Sequence, residues 1–239
     1  IILENGGIIA GSAPIKANAD GFYIYSPDSG TINSSLPNSG ANVKKLYKAG
    51  PGKLTLTGAN SYTGGTVVYE GTLVQSTAAT GAGNYTVKDG ATLGVSVASG
   101  GTLKMSALSL GNSTNTFTGL TSTVNPAITN TGALTLAGTV TVNVSGVLSA
   151  GQYPLIDSAS IGGTGGFVVG TLPSDVVAGI VTNGSTIVLD VTTGVSTAFM
   201  WTGLTDANWD LTTAGNWLSN GVSAVYSDGQ VVKFDDSSV

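Results

Sequence analysis

Hydrophobic and polar residues alternate in several short segments of this chain. The leucines of residues 53–57 fall on one face of an extended segment and the polar residues fall on the other. Residues 139–144 repeat this alternation, and residues 185–190 follow it more loosely. Because successive side chains of a strand point to opposite faces, each segment predicts a strand with one buried face. Gly, Pro or β-branched residues interrupt the candidate helices, so the pattern predicts an all-β chain.

A recurrent Gly-x-Leu or Gly-x-x-Leu element separates the predicted strands. Its leucines recur at spacings close to multiples of ten. This spacing indicates coils of about 20 residues that share one interior, as in a β-solenoid. A β-sandwich is the alternative, because its turns also recur every ~8–12 residues. The leucines expected in the interior are Leu54, Leu56, Leu73, Leu93, Leu103, Leu134 and Leu136.

The composition narrows the classes of function. Charged residues make up 9% of the 239 residues, there are 36 glycines, and histidine and cysteine are absent. A disulfide, a thiolate metal site and a Ser-His-Asp triad are therefore impossible, and no cofactor is expected. The formal net charge of −5 argues against a nucleic-acid partner, which needs a basic surface. No apolar run reaches the ~18 residues of a membrane helix, so this segment is not expected to insert into a membrane.

One segment carries a recognisable motif. Residues 48–66 read KAGPGKLTLTGANSYTGGT, and EGTL follows at residues 70–73. This pattern resembles the autotransporter passenger-associated strand repeat. The resemblance implies a right-handed parallel β-helix in a secreted or surface-displayed bacterial protein, and it implies no catalytic residue. The marker positions in this chain are Gly52, Leu54, Leu56, Gly58, Asn60, Tyr62, Gly64, Gly65, Thr66, Gly71 and Leu73.

Asn60 and Tyr62 flank the predicted corner of this motif. An Asn side chain can bond along a stack of coils or tolerate a left-handed backbone. The Tyr62 ring is expected to cover the turn while its hydroxyl reaches water. These residues are interpreted as a lock between successive coils, and a ligand-contacting loop is the alternative.

The chain divides into four segments by composition. An N-terminal β segment covers residues 1–48, and the passenger-like solenoid covers residues 49–191. Residues 192–198 read as a linker, and a Trp-rich β segment at residues 199–239 resembles the start of a further passenger unit. The chain ends are expected to form a small additional β unit beside the solenoid.

The Trp-rich segment holds the candidates for chemistry. Asp206, Asn208 and Asp210 stand at every second position and carry the oxygen ligands that Ca²⁺ prefers, which makes them a weak candidate calcium site. An Asx-rich turn is the alternative explanation of this spacing. Trp201, Trp209 and Trp217 are candidate contacts for a glycan, and packing of a small β unit is the alternative.

Carboxylate pairs could serve a glycosidase, but the pairs in this chain are poorly placed. Asp235 and Asp236 are adjacent and would point to opposite faces of a strand. Asp206 and Asp210 are the other option, in a segment that reads as a turn. The chain is therefore not expected to be an enzyme, and no catalytic residue is assigned.

The combined expectation is a structural extracellular protein. We expect a stalk, fibre or adhesin segment on the outer surface of a bacterium, with a glycan-binding module as the alternative and a polysaccharide-cleaving β-helix enzyme as a minor one. Neither chain end reads as a finished solenoid cap, which predicts contacts with a head-to-tail copy or a tandem neighbour and assembly into filaments. A surface glycan or host ligand is a further candidate partner. The residues expected at the contact are Ile1, Ile2, Leu3, Val231, Val232 and Phe234.

Overall fold

Two parallel sheets dominate the computed structural model. It describes residues 1–17, 20–98, 100–174, 176–194, 199–203, 205, 214–219, 222–226 and 232–233. These residues contain no α-helix, and they contain no helix of any kind that is long and apolar enough to cross a membrane. The chain passes alternately from one sheet to the other, which builds about seven stacked coils of a β-solenoid.

The first sheet has eight strands. Neighbouring strands of this sheet come from consecutive coils, and every neighbouring pair is parallel. In order these strands are β1 (Gly7–Ile9), β3 (Gly30–Ile32), β5 (Lys53–Leu56), β7 (Thr72–Ser76), β9 (Thr92–Ser96), β12 (Ser113–Thr118), β14 (Thr139–Ser145) and β16 (Gly166–Val169).

The second sheet has ten strands. Its parallel part contains β2 (Gly21–Tyr25), β4 (Lys45–Ala49), β6 (Thr66–Val68), β8 (Asn84–Val87), β11 (Ala107–Leu110), β13 (Ile128–Leu136) and β15 (Gly151–Gly163), with the short β10 (Leu103–Met105) pairing to β13. An antiparallel hairpin of β17 (Val177–Asn183) and β18 (Thr186–Thr193) continues this sheet beyond β15. The hairpin therefore covers the last parallel strand of the sheet.

The interior between the sheets confirms the predicted leucine columns. All seven predicted leucines are buried, and Leu54, Leu73 and Leu93 are register partners in consecutive coils. The β-solenoid is thus confirmed over the β-sandwich. The short step from Leu93 to Leu103 does not mark a coil, because these leucines lie in opposite sheets of one coil.

The coils differ in length, and the first ones, in which Gly7 pairs with Gly30 and Gly30 pairs with Leu54, are longer than the central ones. Leu54 pairs with Leu73 and Leu73 pairs with Leu93, so the central coils have the predicted length. Further along, Asn115 pairs with Val142, and this coil is longer by about a third. The coil length predicted from the leucine spacing therefore holds for the central coils and not for the later ones.

A small four-stranded sheet is formed by residues of the Trp-rich segment. It contains β19 (Phe199–Trp201), β20 (Trp217–Ser219), β21 (Val222–Ser223) and β22 (Val232–Lys233), with a 3₁₀ turn at Ala214–Asn216. Residues at the start of the chain lie elsewhere, since β1 joins the eight-stranded sheet and Ile2 bridges to Tyr25. The small β unit is therefore built from the end of the chain without its start.

Candidate functional site

The motif of residues 48–73 folds into a corner that ties three coils together. Asn60 is buried, and its side-chain oxygen accepts a hydrogen bond from the Leu36 N–H of the preceding coil at 2.9 Å. Its backbone carbonyl accepts hydrogen bonds from Thr80 and Gly81 of the following coil, at 2.8 and 3.0 Å. One asparagine therefore joins the coil before it to the coil after it, which is the lock predicted from the sequence.

Tyr62 fills the interior beneath this corner. Its side chain is 3% exposed, and its hydroxyl lies 2.7 Å from the Thr66 hydroxyl. The expectation that the hydroxyl would reach water is wrong, because the ring points inward to Phe22 and not across the turn. Burial raises the pKa of the Tyr62 hydroxyl well above its ordinary value, and it also raises the pKa of Tyr85.

Lys48 is buried in the interior at the start of the same motif, and its inward position was not predicted. The ammonium donates to the backbone carbonyls of Ala49, Gly50 and Glu70, at 3.0, 2.7 and 3.1 Å. An ammonium has three N–H donors, so these acceptors use its full capacity. Removal from water lowers the pKa of Lys48 to about 8, and attraction to Glu70 opposes that shift.

The motif glycines stand where neighbouring coils leave no room for a side chain. A Cβ at Gly52 would overlap the backbone carbonyl of Asp28 in the preceding coil. Gly71 has a positive φ of 65°, and its Cβ would lie 2.5 Å from the Gly50 carbonyl oxygen. The corner therefore depends on close contact between the backbones of neighbouring coils.

An exposed stack of tyrosines lies on the outer face of the ten-stranded sheet. Tyr23 and Tyr47 are register partners whose ring centroids are 4.7 Å apart, with planes 16° from parallel. Tyr69 continues the stack at 6.5 Å from Tyr47. The rings line a groove of about 560 Å³ together with residues that include Ile2 and Tyr25.

The Tyr23 hydroxyl is held at one end of this stack. It donates a hydrogen bond to the Asp20 carboxylate at 2.7 Å. That hydrogen bond is the main reason why the pKa of Tyr23 rises to about 12. Sequence reasoning missed this surface, because Tyr23, Tyr47 and Tyr69 meet only through the register of three coils.

The structure describes two of the three tryptophans that were predicted to contact a glycan. Trp217 is fully buried and stacks on Tyr226 with ring centroids 5.0 Å apart. Trp201, its register partner, is partly buried. The faces of Trp217 are therefore not available to a sugar, whereas Trp209 lies outside the described residues.

The remaining predicted sites also lie largely outside the described residues. These are the calcium candidates Asp206, Asn208 and Asp210, the carboxylates Asp235 and Asp236, and the assembly residues Val231 and Phe234. Among the described residues there is no cluster of three metal-ligating side chains. Ile1 and Ile2 are exposed, Leu3 is buried, and Val232 is partly buried in β22.

Comparison with known protein families gives a match to the corner motif. The family model described as passenger-associated-transport-repeat matches residues 46–74, the segment that forms the corner around Asn60 and Lys48. Neither a curated protein nor a solved structure matches the chain significantly. The repeat and the β-solenoid together fit an autotransporter passenger repeat protein, so the resemblance seen in the sequence is confirmed. The repeat family suggests a surface or secreted location.

Proposed function

We propose that this chain is a stalk segment of a bacterial surface protein, which holds other parts of the protein at a fixed distance. The observation that carries the proposal is the parallel register of the eight-stranded sheet from Gly7 to Val169. Each coil contacts only its neighbours, so length can be added without altering the rest of the structure. The contacts of the corner also join one coil to the next, through the Asn60 side chain and through backbone groups, as expected for a structural role.

Deleting one coil tests this proposal. Thr72 and Thr92 are register partners, so removing residues 72–91 joins two coils in the same register. We expect the shortened chain to fold, to be displayed on cells, and to be about 4.8 Å shorter along the solenoid axis.

Removing only residues 72–81 is the control, because it deletes half a coil and mispairs every later strand. A one-coil deletion that abolishes folding or display as completely as this control would contradict the stalk proposal.

The proposal also covers assembly with a second copy and the absence of enzymatic activity. Support for assembly comes from the exposed side chains of Ile8 in the outermost strand β1 and of Ile1 and Ile2 beside the outermost strand β2. Light scattering and negative-stain microscopy of the chain and of Ile2→Asp test it. Filaments that the substitution removes support assembly, and a monomer at every concentration contradicts it.

A screen against polysaccharides tests the proposed absence of enzymatic activity. Reproducible cleavage of a polysaccharide would overturn that part of the proposal.

Glycan binding is a second candidate function, and the tyrosine stack favours it. Tyr23 and Tyr69 are each about half exposed, and aromatic side chains are frequent in binding surfaces. A glycan array with the chain and with Tyr69→Ala tests this candidate. Binding that the substitution removes would support it, whereas no binding across the array would reject it.

A further inference from the structure

The outer face of the eight-stranded sheet carries two rows of hydroxyl groups. Strands β7, β9, β12 and β14 each carry an outward threonine and place serine or threonine four residues later. The threonine row consists of Thr72, Thr92, Thr114 and Thr141, and the second row consists of Ser76, Ser96, Thr118 and Ser145. We call the two rows together the hydroxyl face.

The register makes the hydroxyl face periodic. The three ladders that join its strands contain no register shift, in contrast to the bulge between β13 and β15. Equivalent hydroxyls therefore repeat every ~4.8 Å along the solenoid, and the two rows lie ~13 Å apart. The column between them contains Val74, Gly94, Thr116 and Asn143, so these four strands carry no charge on the face. The exposed Lys53 of β5 is the register partner of Thr72 and bounds the face on that side.

The threonine hydroxyls are available to a partner outside the chain. All four threonines of the row are partly exposed, and their hydroxyls have no hydrogen-bond partner among the described residues. Their methyl groups lie on the same rigid sheet. In the second row, the Ser76 hydroxyl accepts from the Ala78 N–H and the Thr118 hydroxyl donates to the Val95 carbonyl. The threonine row therefore supplies the hydroxyls that are free to contact a partner, together with a row of methyl groups.

The size of the face argues against a protein partner. Four strands and three columns cover an area on the order of 400 Å², about half of what one partner buries in a specific protein interface. The face also lacks the buried aromatic or arginine anchors that dominate such interfaces. A partner that binds here must instead repeat with the coils, so that many weak contacts add together.

We propose that the hydroxyl face binds the surface of ice. Equivalent oxygen atoms on the prism faces of hexagonal ice repeat at a distance close to the coil spacing. Hydroxyl groups in that register can hold water in the positions of the crystal surface. The uncharged face helps, because a charged group would keep its own hydration shell and would have to be desolvated. This inference is independent of the stalk proposal.

Partition into growing ice and ice recrystallisation test the proposal. We expect the chain to be included in a slowly grown ice hemisphere and to retard the coarsening of ice grains. The double variant Thr92→Lys, Thr114→Lys should lose at least about fivefold of this inclusion, because two ammonium groups then interrupt the face. Thr86→Lys is the matched control, since Thr86 is an outward threonine of β8 in the other sheet.

Two outcomes would contradict the proposal. Exclusion of the unaltered chain from ice, at the level of a control protein of similar size, would overturn the proposal. Equal inclusion of the double variant and of Thr86→Lys would overturn its assignment to this face. If the double variant does not fold, as judged by circular dichroism, Ser96→Lys on the second row replaces it with the same expected loss.

Discussion

The central coils and the later coils stack in the same parallel arrangement but differ in length. The register partners Leu54, Leu73 and Leu93 define short coils, whose strands β5, β7 and β9 have four or five residues. The coil from Asn115 to its partner Val142 is longer by about a third, and β15 alone has 13 residues. Glycines pack against the backbone of the preceding coil in both regions, as Gly52 does against Asp28 and Gly163 does against Leu136. The long coils differ in having longer strands and a bulge, so the two regions share close backbone contact and differ in strand length.

The largest expected effect lies in the shared leucine column. Leu73 is fully buried between Leu54 and Leu93, so Leu73→Ala leaves a cavity and should lower the free energy of unfolding by ~2–5 kcal/mol. Urea unfolding followed by circular dichroism measures it. Val168→Ala, at an outward and 46% exposed position in β16, should stay within ~0.5 kcal/mol. Equal losses for both variants would contradict a continuous interior.

The corner glycine Gly52 gives the next effect and tests close backbone contact between two coils. Gly52→Ala forces a Cβ into the Asp28 carbonyl and should cost ~1–3 kcal/mol or more. Gly162→Ala in β15 is the matched control, because nothing lies within 4 Å of its Cβ position. The control should keep its unfolding midpoint. If Gly52→Ala keeps it too, the short coils do not depend on close backbone contact.

The buried ammonium of Lys48 predicts a pH dependence of stability. With a pKa of about 8 in the folded chain and 10.5 as the ordinary value, the unfolded chain binds more protons between these values. Stability should therefore rise by ~1–2 kcal/mol between about pH 8 and pH 9.5. The quantity to measure is the difference in unfolding free energy between the chain and Lys48→Met at each pH, which cancels other titrating groups. A difference that does not change with pH would contradict the lowered pKa.

Gln75 predicts a smaller change, in which a substitution stabilises the chain. Its side chain is fully buried in the column next to Leu73, and neither amide atom has a partner among the described residues. Gln75→Met removes an unsatisfied polar group at similar volume, so it should stabilise the chain by ~1 kcal/mol. Thermal unfolding measures this gain. A loss of stability would show that the amide is hydrogen-bonded, for example to internal water.

The sequence predicts the interior better than the surfaces, for a physical reason. The leucines of residues 54–93 alternate locally with polar residues, and local alternation is enough to assign a buried face. Lys48 carries no such local signal, because its position on the inward face depends on strand pairing in two coils. The tyrosine stack and the hydroxyl face were missed for the same reason. Both depend on register between coils of unequal length, which the sequence spacing alone does not define.

The parallel register of successive coils is tested most directly by disulfide formation. The chain has no cysteine, so introduced pairs report only on their own geometry. Thr72 and Thr92 are outward register partners, and neighbouring strands ~4.8 Å apart lie within the range of a disulfide. We expect Thr72→Cys, Thr92→Cys to form an intramolecular disulfide on mild oxidation, shown by peptide mapping. Thr72→Cys, Ser96→Cys should not form one, since Ser96 lies four residues further along the same strand. A disulfide in the second pair and none in the first would contradict the solenoid register.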